Sequence, residues 1–180
     1  PTVWRERPRA APLTATTAAA LATCLVDHPG PVCTFNGASF DFKVVAALLP
    51  AGTLRQRLVS KCLHGHLDVM MDWFSSQGYY SAMAAFCAGC QLGGKSWSGA
   101  ESAAAVKAAL APGVPDVTLE TVMARVEEYC IDDTRCLEEL MAYLKKNCCL
   151  RRAAKTSGRI ASWTPWHVRT IRTVAECIRH

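Results

Sequence analysis

The chain has 180 residues, with 20 Lys and Arg against 15 Asp and Glu, and a net charge of +5. At 51% hydrophobic and 19% charged residues it is neither a disordered chain nor a histone-like basic tail. A chain of this length forms one domain and buries a sizeable core without needing a metal or a disulfide to fold. The uncharged run from Ala10 to Val26 carries a Pro and several Thr residues and does not read as a membrane-spanning helix.

Residues 1–13 read as an extended basic arm. Arg5, Arg7 and Arg9 supply the charge, and Pro8 and Pro12 keep the backbone extended. Its Arg-rich, acid-poor composition is also that of the back half of an organelle transit peptide. The compartment stays open, with an organelle or another intracellular space favoured over secretion. Ala and Leu then predict a helix from about residue 14 to Val26, ended by His28-Pro29-Gly30-Pro31. Asn36-Gly37, flanked by Val32–Phe35 and Ser39–Phe42, predicts a small β-hairpin near residues 32–45.

From Leu54 to Phe74 apolar residues recur at three and four, the stripe of a core-facing helix. Gly78 ends it, and Tyr79 to Cys90 reads as a second, buried helix. Ser98 and Glu101 form a capping box for a helix that stops at Pro112-Gly113. Pro115-Asp116 opens another helix, Asp132 and Asp133 are placed to cap the next, and Thr164-Pro165 precedes a last one over 166–179. The expected fold is all-α: a single helical domain over 14–180, of about six or seven helices with one minor hairpin. Its middle, 97–144, is acidic and its end, 145–180, basic.

Ten cysteines are the most unusual feature of the composition. Cys87-Ala-Gly-Cys90 has the spacing for two metal ligands or a redox dithiol. Cys130, Cys136, Cys148 and Cys149 extend the set of metal or disulfide candidates. The same spacings arise when cysteines simply fill an apolar helix face. No cofactor is required by the sequence, and zinc is the one alternative. Cys62 and His66, four apart, could form a nucleophile pair, but Cys62 falls on the core stripe of its helix. The acidic pairs Glu127-Glu128, Asp132-Asp133 and Glu138-Glu139 read as solvated helix residues, so no catalytic set is assigned.

The basic end is the best functional lead. Arg151, Arg152, Lys155, Arg159, Arg169 and Arg172, with Trp163 and Trp166 among them, are the residue types that neutralise phosphates and stack on unpaired bases. The same residues could face other protein subunits through charge pairing. Taken alone, the sequence points to a non-catalytic interaction or structural subunit docked on protein partners. An RNA-binding module is the first alternative and a cysteine-dependent or zinc-containing enzyme the second.

Overall fold

A computed structural model describes residues 14–94, 97–153, 160–163 and 173–178 of the chain. The fold is mostly helical, with two small strand pairs. Three helices come from the first third of the chain: α1 (Ala15–Asp27), α2 (Asp41–Leu48) and α3 (Thr53–His64). They enclose one core of Ala18, Ala22, Phe42, Val45, Leu49 and Leu58. The helix α1 forms as its composition predicts, and the Thr14 side chain caps it by accepting from the Thr17 N–H.

A larger core follows. It gathers α4 (Val69–Gln77), α5 (Met83–Cys90), the far half of α7 (Asp116–Asn147), and the strands β3 (Leu150–Ala153) and β4 (Ile160–Trp163). Trp73, Phe86 and Trp163 meet edge to face at its centre, with Leu140, Leu144 and Leu150 fully buried around them. Each such aliphatic side chain contributes about 1.5–3 kcal/mol by burial. Helix α6 (Gly99–Ala109) begins with the expected capping box, Ser98 and Glu101 each accepting a backbone N–H of the other.

Between the two cores runs a parallel ladder of two short strands, β1 (Val32–Thr34) and β2 (His66–Asp68). Side chains alternate across a strand, and the ladder uses that to serve both sides. Val32 packs on the α1–α3 core, whereas Cys33 and Leu67 pack on the larger one. The crossover from β1 to β2 passes through α2 and α3, a helical connection of the kind parallel strands require.

Three sequence expectations need correction here. Asn36-Gly37 does make a tight turn, with Asn36 at φ 71°, but it does not close a hairpin. The Asn36 carbonyl accepts from Ser39 and Phe40, Gly37 O accepts from Phe42, and the chain goes straight into α2. An antiparallel strand pair lies instead at β3–β4, Leu150 opposite Trp163. The long stripe over 54–74 is broken at Gly65, where three residues leave the helix to pair with β1. Asp132 and Asp133, by contrast, cap nothing: α7 runs through them for 32 residues, and Asp132 pairs with Arg135 at 3.0 Å on its surface. Of the last expected helix, α8 (Val174–Ile178) is described, and the basic arm 1–13 lies outside the described residues.

Candidate functional site

Both strands of the parallel ladder end at the same polar junction. Asp68, the last residue of β2, is buried, and its carboxylate accepts four backbone N–H groups. Asn36 and Ala38 reach it from the loop after β1, at 2.8 and 2.9 Å. Met70 and Met71 reach it from the first turn of α4, at 3.0 and 3.2 Å. One side chain thus fixes both the β1–α2 turn and the start of α4. Anionic oxygen at a helix N-terminus is also where the helix dipole favours it.

His66, two residues earlier, is fully buried. Its Nε2 lies 2.6 Å from Thr34 Oγ1, across the ladder, and its ring lies 4.5 Å from Phe42. Thr34 Oγ1 also accepts the Gly37 N–H, so this one hydroxyl ties the turn to the imidazole. Burial holds the imidazole below its ordinary pKa, against the pull of the Asp68 charge and of a hydrogen bond to the Cys62 backbone. A β-carbon on Gly37 would run into the Thr34 side chain, so only glycine permits this turn.

The turn delivers Asp41 to the first position of α2, just beyond the carboxyl ends of both parallel strands. In parallel α/β arrangements that is where ligands bind. Asp41 is exposed, yet the protein packed around it first, then the Asp68 charge and more weakly that of Asp133, holds its carboxyl above the ordinary aspartate value. Asp133 comes from the middle of α7, one turn beyond Tyr129, and the Tyr129 hydroxyl donates to its carboxylate. Burial, that bond and the nearby negative charges all push the phenol pKa up, so Tyr129 stays a neutral donor. The same field, with burial leading, raises the thiol of Cys130. Two carboxylates that sense each other, one protonated more readily than usual and one held by a hydroxyl, can exchange protons with a bound molecule.

The cysteines are arranged differently. Cys62 Sγ lies 3.9 Å from His66 Nδ1, but burial and the Asp68 charge push its pKa up to about 11, so it is a thiol and not an activated nucleophile. Cys87 and Cys90 lie in the larger core, apart from that pair. Cys90 Sγ accepts the Arg151 N–H at 3.2 Å and faces the Arg151 carbonyl at 3.4 Å. Cys136 Sγ faces the Gly93 carbonyl at 3.7 Å, Cys130 is exposed, and Cys148 takes the left-handed position that ends α7. These residues and Cys149 are free thiols. Among the described residues no group of three or more His, Cys, Asp or Glu is placed to hold a metal ion. Arg151 and Arg152 lie side by side on β3, whereas Lys155, Arg159, Arg169 and Arg172 fall outside the described residues.

Sequence reasoning missed Asp41, Tyr129 and Asp133. The signal was faint: an aspartate just after Asn-Gly, and a Tyr and an Asp one helical turn apart. No helix among the described residues is long and apolar enough to cross a membrane.

A family model described as the RNase_H superfamily matches residues 8–145, a stretch that contains α1 to α6, most of α7 and the whole Asp41–Tyr129–Asp133 group. No curated protein and no solved structure matches the chain. The family match overturns the reading of a non-catalytic docking subunit, because it points to a nucleic-acid-related enzyme. With some three quarters of its length matched, the chain belongs to the RNase_H superfamily.

Proposed function

We propose that this chain is a nucleic-acid-processing enzyme that hydrolyses phosphodiester bonds, with Asp41 and Asp133 as its acid–base pair. The observation that carries the reading is the superfamily match, whose span includes both carboxylates and the tyrosine between them in function. Support from geometry comes from the position of Asp41 beyond the carboxyl ends of β1 and β2 and from its charge coupling to Asp133.

The roles follow from the two environments. Asp133, which accepts the Tyr129 hydroxyl, is assigned the base role and takes a proton from water as the water oxygen attacks phosphorus. Asp41, whose carboxyl keeps its proton to higher pH, gives that proton to the ester oxygen as the phosphorus–oxygen bond breaks. The products are a phosphate monoester and an alcohol, and one proton has passed to each side of the balance. Asp68 touches no substrate in this scheme. It positions Asp41 by holding the loop that presents it.

Nucleases commonly hold pairs of divalent ions between converging carboxylates. The described donors, Asp41 and Asp133 with Asp68 turned into backbone N–H groups, do not make such a centre by themselves. Every step above therefore uses side chains of the chain alone.

The test is cleavage of end-labelled RNA, DNA and an RNA–DNA hybrid, each resolved by length over time. At least one should be cut, with a bell-shaped dependence of rate on pH set by one group that must be protonated and one that must not. Tyr129→Phe should lower the rate about tenfold, as Asp133 loses its anchor, while the melting temperature moves little. A purified, folded protein that cuts none of the three would refute the hydrolytic reading.

A further inference from the structure

The far end of α4 carries a second surface that the acid–base pair does not use. Gly78, in the left-handed conformation, ends the helix and sends the chain through Tyr79 and Tyr80. Both rings are held but not covered. Tyr80 stacks on Phe74 at 4.5 Å with planes 20° apart, yet is 63% exposed. Tyr79 meets Trp73 edge to face at 5.4 Å and is 44% exposed.

Strand β3 brings Arg152 to the same place, while Arg151, its neighbour in the strand, points to the opposite face. The Arg152 guanidinium lies 5.2 Å over the Tyr79 ring and 5.7 Å from that of Trp73, and its Nε donates to Ser81 Oγ at 2.7 Å. Among the described residues one of its five donors is spent, on Ser81. Arg151 beside it is exposed, with its backbone N–H fixed on Cys90 Sγ. Neither guanidinium makes an ion pair among the described residues. An aromatic ring fixed in place costs little entropy to stack upon, and a pre-set arginine costs little to pair.

We infer that Tyr80 and Tyr79, with Arg152, form a binding platform for single-stranded nucleic acid, the rings taking unpaired bases and the arginine a backbone phosphate. The inference rests on the nucleic-acid reading above and names the form of its substrate. A single strand fits better than a duplex, because a base reaches a tyrosine face only when it is unstacked. The helix α4 separates this platform from the Asp68 junction by nine residues, about 13 Å along its axis. That is the length of about four stacked nucleotides.

The experiment is fluorescence anisotropy with a labelled 12-nucleotide oligouridylate and with a duplex of equal length, in the intact chain. The single strand should bind more tightly than the duplex. Tyr80→Ala should weaken single-strand binding between fivefold and a hundredfold, while Tyr80→Phe binds as the parent does. Arg152→Gln should lower the slope of log affinity against log salt by about 0.7, one phosphate contact for a single strand. Binding unchanged in Tyr80→Ala, or no preference for the single strand, overturns the inference. Cleavage kinetics separate it from the hydrolytic reading. Binding that depends on Tyr80 in a protein that cuts nothing keeps this surface and rejects hydrolysis. Cleavage whose KM does not change in Tyr80→Ala keeps hydrolysis and rejects the surface.

Discussion

Two junctions of the molecule are built by opposite means. At the end of the β1–β2 ladder the junction is polar: a buried carboxylate gathers four N–H groups, and a buried imidazole bonds across the strands. In the larger core the equivalent junction, α5 against β3, is made by close approach of backbone. Gly89 faces the Arg151 peptide so closely that a β-carbon would overlap its carbonyl, with Arg152 N only 2.7 Å away. A hydrogen-bonded junction fixes direction, whereas a close-packed one fixes distance. The first holds the loop carrying Asp41, and the second holds the strand carrying Arg151 and Arg152. The contrast also gives Cys87-Ala-Gly-Cys90 a packing role: Cys87 fills the core, Gly89 admits β3, and Cys90 meets its backbone.

Breaking the polar junction should cost most. Asp68→Ala strands four backbone N–H groups away from water, at about 3–5 kcal/mol. Urea unfolding should show the loss as a lower midpoint at unchanged slope. A loss below about 1 kcal/mol would mean that the loop after β1 holds itself. Next comes the close-packed junction: Gly89→Ala should cost on the order of 3 kcal/mol, since backbone and not a flexible side chain must move. Intrinsic fluorescence of Trp73 and Trp163, both within the affected core, should report the shift.

The smallest effect is the most selective. His66 has its pKa lowered in the folded state, so the unfolded chain takes up the proton first as pH falls. Its contribution is complete above the unfolded value near 6.5 and is lost as pH falls toward the folded value, at no more than about 1.4 kcal/mol per pH unit. Melting temperatures taken from pH 7 to pH 5 should fall in the parent and fall less in His66→Gln. Equal slopes in the two proteins would place the acid sensitivity elsewhere.

Much of the helical frame was legible because its signals are local. The Ala- and Leu-rich run to Val26 and the Ser98–Glu101 box depend on nearby residues alone, and both form helices as read. What escaped depends on distant partners. Three residues at His66–Asp68 are too few to show an alternating pattern, and they become a strand only because Val32–Thr34 lies beside them. Asn36-Gly37 signals a tight turn correctly, but which way the chain leaves that turn is decided by Asp68, some thirty residues on. Asp132-Asp133 has the wording of a helix cap, yet the apolar stripe through Cys136, Leu140 and Leu144 carries α7 straight past it. The site was hidden for the same reason: Asp41 and Asp133 stand on separate helices, and only the fold brings their charges within reach of each other.

The most direct test of the account is the cleavage rate of Asp41→Asn and Asp133→Asn on whichever substrate the parent cuts, beside their melting curves. The account predicts a loss of a hundredfold or more for each variant, with cooperative unfolding retained, because a removed acid or base is worth about that much. Both variants cutting at the parent's rate while folded would contradict it, and would move the chemistry away from the carboxyl ends of the β1–β2 ladder.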